Sequence, residues 1–309
     1  MDKVLTVAQT IAPIFVTLFL GAFSRRKAMI KPEEIQGLQQ FVMKFGLPCV
    51  LFNSCLAANI GPESISTMAL LIPLMVISTL LGFRARKKHY PYYNLPILFA
   101  AKESGMMGIP LYLILFGADQ VYRMGVLDLA QATTAISTIA ILSAAADSNP
   151  TPGEIAKKVL TSPFLVMSLL GLALNLTGVA DWMNHIGIGA IITESTGFLA
   201  QPVSAMMIFC IGYNFSLEKG NRSTIFKLSA IHFLWFAVIC LIMQLALFLL
   251  PNVDSLTRWA VLMYTTLPAS YLAPSLGRNK EEHTIASGIC SILSVTSLII
   301  FCIIAVIVV

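Results

Sequence analysis

The feature that most constrains this chain is a succession of ten apolar runs, each close to the length that crosses a lipid bilayer. A membrane-spanning helix needs about twenty mostly apolar residues. Such helices are predicted over residues 4–24, 35–58, 64–83, 95–117, 123–146, 161–179, 194–217, 226–250, 257–276 and 284–308. Only 11% of the residues are charged, whereas a soluble domain carries about a quarter. The sequence therefore predicts an all-α protein that crosses a membrane ten times.

The lysines and arginines support this count and give it a direction. Fifteen of the twenty lie in the loops that follow the odd-numbered helices: Arg25, Arg26, Lys27, Lys31, Arg84, Arg86, Lys87, Lys88, Lys157, Lys158, Lys219, Arg222, Lys227, Arg278 and Lys280. The opposite side has only Lys3, Arg123 and Arg258. Positive residues favour the cytoplasmic side of a membrane. Both termini are therefore predicted outside, in a multi-pass protein of the cell membrane.

Composition argues against several other roles. The net charge of +5 comes from short basic clusters between apolar runs, a pattern typical of membrane topology rather than of nucleic-acid binding. The six cysteines all lie in apolar runs, without CxxC or Cys/His spacing. Neither a disulfide framework nor a metal site is predicted from them. No cofactor and no nucleic acid are expected, and the lipid bilayer is the predicted surrounding.

The two halves of the chain resemble each other weakly. Helices 1 and 6 match at a shift of 150 residues, at Pro13 and Pro163 and at Gly21 and Gly171. Mid-helix prolines of helices 2 and 7, and of helices 4 and 9, recur at slightly larger shifts. Because five helices are an odd number, the second copy must be inverted, as in many secondary transporters. The predicted parts are a first five-helix repeat, a short cytoplasmic linker and a second, inverted repeat, over residues 1–147, 148–160 and 161–309.

Helices 4 and 9 are predicted to be broken near their centres. Gly105, Gly108 and Pro110 fall within six residues in helix 4, and Pro268 interrupts helix 9. Irregular backbone is tolerated at membrane depth only where it lines a cavity or is buried in protein. Two broken helices that cross would direct half-helix N-termini, with their positive dipole ends, at a common point that suits a carboxylate. The alternative is two kinked helices that merely pack.

Lys102 and Glu103 directly precede the interruption in helix 4. An ionisable group at membrane depth is costly unless it is paired or hydrated. One hypothesis is that Lys102, or Lys44 in helix 2, neutralises Glu103, and that the cluster binds substrate or a coupling proton. The other hypothesis is that both lysines extend to the membrane interface.

Polar residues follow one face of helix 5 and one face of helix 10. Spacings of three or four residues, which place side chains on one helix face, connect Asp128, Gln131, Thr134 and Thr138, and likewise Thr284, Ser287, Ser291 and Ser294. Gln131 is a candidate for the cavity, whereas Asp128, five residues after Arg123, is placed near the outer interface. The helix 10 stripe is interpreted as a tie between helices.

These motifs resemble the auxin efflux carrier family, in a compact prokaryotic form. The matching segments are Gly105–Leu111, Asp128–Gln131, Gly46–Pro48 with Leu51 and Phe52, Ser162–Pro163 and Leu267–Ala269. The resemblance implies a fold of the bile acid symporter type, with a scaffold, a transport domain, and helices 4 and 9 crossing at the substrate site. It also implies transport of organic acids such as auxin, malate or malonate. The chain departs from the family at Lys102 and Glu103, where a polar pair such as Ser-Asn is usual, and around Ser270 and Tyr271, where an Asn is common.

The predicted function is secondary active transport of small organic anions by alternating access, with proton coupling through Glu103 or Asp128. The candidate substrate-binding residues are Lys102, Glu103, Ser104, Gly105, Gly108, Pro110, Gln131, Asn53, Pro268, Ser270 and Tyr271. Sodium coupling, and a membrane sensor that binds its ligand without moving it, stay open as alternatives. An enzyme is not expected, because the sequence shows no metal-ligand cluster and no nucleophile with an adjacent base. A second copy of the chain, in a homodimer, is a further candidate partner.

Overall fold

The computed structural model describes residues 2–58, 61–144, 157, 161–215, 222–250 and 253–308. Within these residues the chain is helical, and its extended pairing is one isolated antiparallel bridge between Lys102 and Ala269. The α-helices in chain order are α1 Asp2–Arg26, α2 Pro32–Phe41, α3 Leu47–Leu56, α4 Pro62–Lys88, α5 Leu95–Ala100, α6 Ile109–Phe116, α7 Tyr122–Ala144, α8 Pro163–Leu176, α9 Val179–His185, α10 Ile188–Ala200, α11 Val203–Asn214, α12 Arg222–Leu249, α13 Ser255–Thr266, α14 Leu272–Ser275 and α15 Lys280–Val308. One π-turn joins α2 to α3 and another precedes α6, over Val42–Gly46 and Ser104–Gly108.

The helix lengths and their apolarity are those of a multi-pass membrane protein. Among the described residues, five helical segments are long and apolar enough to cross a membrane: Pro62–Lys88, Ala118–Leu142, Ile188–Asn214, Arg222–Leu249 and Lys280–Val308. The pair α8 and α9 is a sixth candidate, bent by 78° at its break. The all-helical architecture is confirmed in this coarser form. Helices also lie in the other predicted ranges, but length and composition alone do not establish ten spans.

A proline explains each π-turn. Pro48 and Pro110 lack the N–H that would continue the helix, and a proline ring clashes with the carbonyl four residues earlier. Those carbonyls belong to Lys44 and Met106, the central residues of the two π-turns. The locally widened turn relieves the clash and keeps the helix continuous on both sides. The second predicted helix is therefore one continuous stretch from α2 through α3.

The sixth and seventh predicted helices differ from the expectation. α8 ends at Leu176, and Gly178 adopts a left-handed φ of +73° before the short α9, which the sequence reading did not anticipate. α10 begins at Ile188 instead of residue 194, after Gly187 at a φ of +80°. Glycine adopts a positive φ without the steric cost that a side chain would add, so these two glycines set the helix ends.

The described helices form two packed groups, and both groups line the cavity described below. In the first group, α1 lies along α11 and α8 lies along α3. Glycines permit both close contacts: a Cβ on Gly21 would lie 2.1 Å from the carbonyl oxygen of Phe209, and one on Gly171 would lie 2.5 Å from that of Phe52. In the second group, α4 packs on α5 and α7, and α12 packs on α13 and α15. This second group carries both helix breaks.

The linker predicted over residues 148–160 lies outside the described residues except for Lys157. The boundaries of the two repeats therefore stay a prediction.

Candidate functional site

The breaks in the fourth and ninth predicted helices lie against each other. The first break, Ala101–Glu103, separates α5 from the π-turn before α6, and the second, Leu267–Tyr271, separates α13 from α14. The N–H of Glu103 donates to the carbonyl of Pro268 at 2.9 Å, and the N–H of Ser270 donates to the carbonyl of Ala101 at 3.0 Å. Backbone groups freed by one break are thus satisfied by the other, as a membrane interior requires.

The break in helix 4 does not lie at the glycines and proline that predicted it. Gly105 and Gly108 belong to the π-turn, and Pro110 is in the first turn of α6. A Cβ on Gly108 would lie 2.6 Å from Cδ1 of Leu267, so this glycine permits close packing at the crossing. The unwound residues are Ala101–Glu103, immediately before the glycines.

The side-chain amide of Gln131 holds the first break in place. Its Oε1 accepts the N–H of Lys102 at 2.7 Å and the hydroxyl of Tyr264 at 2.7 Å. Its Nε2 donates to the carbonyl of Lys102 at 3.0 Å and to Oδ1 of Asp128 at 2.7 Å. One amide from α7 therefore satisfies both backbone groups of Lys102. Tyr264, fully buried in α13, was missed by the sequence reading, although a hydroxyl in an apolar helix is a signal worth testing.

The carboxylate of Glu103 lies where both second half-helices begin. Its Oε1 accepts the N–H of Met106 at 3.2 Å, and its Oε2 accepts the N–H of Tyr271 at 2.7 Å. The residue is only 8% exposed. Two backbone N–H groups, one from each broken helix, therefore meet at one carboxylate, and that carboxylate is the protein's own Glu103. The balancing groups are two backbone N–H donors, whose partial charges favour an anion.

Neither lysine neutralises Glu103, so that part of the hypothesis is wrong. Lys102 is 3% exposed and its ammonium lies 3.7 Å from the ring centre of Phe236 on α12. Lys102 therefore does not reach the membrane interface either. Lys44 is exposed and does not line the cavity. Neither lysine forms an ion pair with a carboxylate of the described residues.

Asp128 lies at the crossing rather than near the outer interface, which corrects the prediction. Its Oδ1 accepts hydrogen bonds from the Ser104 hydroxyl and from the Gln131 amide. The residue is partly buried and faces the same cavity as Glu103. Two carboxyl groups thus belong to one cavity floor.

A cavity of about 1480 Å³ leads from this crossing to one end of the molecule. Eight predicted site residues line it: Lys102, Glu103, Ser104, Gly105, Asp128, Gln131, Ser270 and Tyr271. At its other end it reaches Arg25, Lys31 and Asn214. These residues belong to or adjoin the loops after the first and seventh helices, which the basic clusters place in the cytoplasm. The cavity therefore opens on the predicted cytoplasmic side.

Four predicted site residues do not line this cavity. Gly108 and Pro110 are buried, and Pro268 contributes its carbonyl to the pairing of the breaks. Asn53 lies on α3, where it donates to the Thr193 carbonyl at 3.4 Å and accepts from the Thr196 hydroxyl at 2.6 Å. Asn53 therefore joins α3 to α10, away from the crossing.

The contribution of α15 to the cavity was not predicted from the sequence. Ser287, Cys290, Ser291 and Ser294 all line it. The hydroxyls of Ser294 and Tyr271 are hydrogen-bonded at 2.8 Å. The serine stripe was interpreted as a tie between helices, because serine spacing alone does not distinguish a cavity wall from a helix contact.

An ion pair joins α7 to the start of α13, at the end of the second helix group opposite the cavity mouth. Arg123 at the start of α7 pairs with Asp254, which caps α13 by accepting the N–H of Thr257 at 2.8 Å. Arg123 also donates from Nε to the Thr257 hydroxyl at 3.2 Å. Burial by itself would raise the pKa of Asp254, but the bonds from Thr257 and the Arg123 guanidinium hold it below its usual range. None of these three residues lines the cavity.

The comparison with known families agrees with this geometry. A family model described as membrane transport protein matches residues 6–150. This match covers just under half of the chain and supports the auxin efflux carrier-type family of membrane transport proteins. Members of that family are transporters rather than enzymes. The matched part includes Glu103, Asp128 and Gln131, whereas Ser270 and Tyr271 lie beyond it. A search of curated proteins finds no match.

Proposed function

We propose that this transporter carries small organic anions, mono- or dicarboxylates of the auxin, malate or malonate kind, by alternating access and with proton coupling. The observation that carries the proposal is a cavity of about 1480 Å³ that ends at two paired helix breaks. Unwound backbone at membrane depth is the arrangement by which secondary transporters bind substrates. The residues of this floor fall within the fourth and ninth predicted helices, away from the ends of both.

The packing of the first helix group supports an origin in two inverted repeats. If α1 corresponds to α8, and the α2–α3 stretch to α10–α11, then the contact of α1 with α11 should recur as the contact of α8 with α3. Both contacts are present. The glycines that permit them, Gly21 and Gly171, are the pair that match in sequence at a shift of 150 residues. This correspondence supports the proposed ten-span topology, in which α1, 25 residues long and rising about 37 Å, is the first span.

The two sides of the crossing support alternating access. On one side the cavity is open towards Arg25 and Lys31. On the other side, outside the cavity, the helices are joined by the Arg123–Asp254 ion pair and by the hydroxyl of Tyr112, which donates to the Leu256 carbonyl at 3.0 Å. We take this as the inward-open conformation. Transport requires the second helix group to move so that the crossing faces the other side.

The charges along the cavity support both the substrate class and the coupling. Arg25 and Lys31 at the mouth attract anions. Glu103 and Asp128 at the floor would repel an anion if both were ionised. Protonation of one carboxyl reduces that repulsion and frees N–H or hydroxyl donors for the substrate. An anion and a proton are thus expected to bind together.

Flux into proteoliposomes tests the proposal. A panel of radiolabelled mono- and dicarboxylates is offered with no gradient, with a pH gradient, or with a sodium gradient. Accumulation driven by the pH gradient is expected for at least one compound. Accumulation driven by sodium alone would replace proton coupling with sodium coupling. Binding of a compound without accumulation under any gradient would overturn the transport proposal and favour a sensor.

A further inference from the structure

At the crossing, the side chain of Lys102 contacts a residue outside the cavity lining. Lys102 itself lines the cavity, but its ammonium lies 3.7 Å from the ring centre of Phe236 on α12. Phe236 is 1% exposed and is not part of the cavity lining. A buried ammonium loses the stabilisation that water gives to its charge. Contact with a phenyl ring restores only part of that stabilisation.

His232 lies one helical turn before Phe236 and shares the same ring. The ring centres of His232 and Phe236 are 4.6 Å apart. The ring centre of a second phenyl group, that of Phe99, lies 5.6 Å from the ring centre of His232. His232 is 1% exposed. The Leu98 backbone lies beside the ring, yet neither ring nitrogen makes a hydrogen bond of normal geometry with a described residue. The Leu98 backbone therefore satisfies this buried imidazole weakly at best, and a buried polar group that is not fully satisfied is costly and requires an explanation.

We propose that Lys102 and His232 together bind one proton inside the second helix group, apart from the carboxyls that face the cavity. The proton resides on the Lys102 amine or on the His232 imidazole, and its binding forms one N–H bond and breaks none in the protein. Two protons are disfavoured, because two cations would then share one phenyl ring in a medium of low dielectric constant. This site goes beyond the proposed function and needs no particular substrate.

The other titratable groups that face Lys102 and His232 are few, and most of them are engaged in hydrogen bonds elsewhere. On α12 the nearest titratable group is the thiol of Cys240. The hydroxyl of Tyr264 on α13 donates to Gln131, and the thiol of Cys290 on α15 is directed at the carbonyl of Ala269, at 3.6 Å. Glu103 and Asp128 bond groups at the cavity floor. On α4, residues 71–82 carry no titratable side chain.

The position of Lys102 connects this proton to the crossing. Lys102 is the residue that pairs with Ala269 in the bridge between the two breaks. Its N–H and carbonyl are both held by Gln131. A change of charge on its side chain therefore acts at the point where the two broken helices meet.

Titration of His232 in the full-length protein tests the pair. The chain has four histidines, so ¹⁵N-histidine spectra in nanodiscs are simple, and the His232 signal is the one lost in His232→Phe. We compare wild type with Lys102→Met and with the matched control Lys44→Met, an exposed lysine. Removal of the Lys102 charge should move the His232 titration to higher pH by about one unit or more, and the control should not.

The signals of His89, His185 and His283 report whether each variant is folded. If Lys102→Met does not fold, Lys102→Gln provides the same loss of charge with a polar side chain. An unchanged His232 titration in a folded Lys102 variant would overturn the proposal. So would a His232 signal that does not titrate between about pH 5 and 9 in that variant.

Discussion

The carboxylate of Glu103 accepts the backbone N–H of Tyr271 at 2.7 Å, across 168 residues of the chain. The same carboxylate accepts the N–H of Met106. It therefore accepts one backbone N–H from the π-turn that follows the first break and one from the last residue of the second break, where the partial positive charges of N–H groups favour an anion. Under the proposed function, an anionic substrate that reaches the floor would compete with this side chain. Protonation of Glu103 would weaken its hydrogen bonds to both donors, and this would couple substrate binding to a proton without a direct contact between them.

Glu103→Gln should abolish this coupling. The amide keeps the size of the side chain, but it carries no charge and releases no proton. The stimulation of uptake by a pH gradient should fall by about tenfold or more, whereas exchange of labelled for unlabelled substrate should continue. Glu194→Gln, an exposed glutamate on α10, is the matched control. Unchanged pH-driven uptake in Glu103→Gln would show that the coupling proton binds elsewhere.

Gln131→Ala should loosen the crossing itself. The substitution leaves the N–H and carbonyl of Lys102 and the hydroxyl of Tyr264 without their partner. Each buried polar group left unsatisfied costs about 1–3 kcal/mol, so a marked fall in the thermal midpoint is expected in detergent. Gln201→Ala, an exposed residue between α10 and α11, should change the midpoint little. Equal midpoints for the two variants would contradict the holding role of Gln131.

The sequence predicted the helix interruptions and the residue types at the crossing, but not the directions of the side chains. Prolines and glycines act on the local backbone. Pro110 and Pro268 therefore predicted helix interruptions within a few residues of the breaks that the structure shows. Whether Lys102 points to the cavity or to Phe236, and whether Asp128 lies at an interface or at the floor, depends on which helices pack across from them. Those contacts join residues far apart in the chain, which spacing along one helix does not encode.

Gly21→Val and Gly171→Val should disrupt the first helix group equally. An added Cβ would lie within 2.5 Å of a backbone oxygen of the neighbouring helix at both positions, and backbone cannot move aside as a flexible side chain can. Strong losses of folded yield and thermal stability are expected, above the roughly 1–3 kcal/mol typical of overpacking. Gly37→Val is the control, since nothing lies within 4 Å of a Cβ there. Tolerance at one of the two equivalent glycines would argue against the proposed symmetry of the repeats.

The Arg123–Asp254 ion pair should hold closed the far end of the molecule, on the other side of the crossing from the cavity. Asp254→Asn removes the charge that Arg123 binds, so the far end should open more often, and a cysteine at Ser291 in a cysteine-free background should become accessible to a membrane-impermeant reagent from that side. Asp119→Asn, which changes an exposed acidic residue near Arg123 in the sequence, should leave labelling unchanged.

The pH dependence of the ion pair follows from the pKa of Asp254. Because that pKa lies below its usual range, the ion pair contributes its full stabilisation above the unfolded pKa of about 3.9. Its contribution is lost as the pH falls through the lower, folded-state value. Labelling of the wild type from the far side should therefore stay low at neutral pH. Equal labelling of Asp254→Asn and wild type at neutral pH would show that this ion pair does not hold the far end closed.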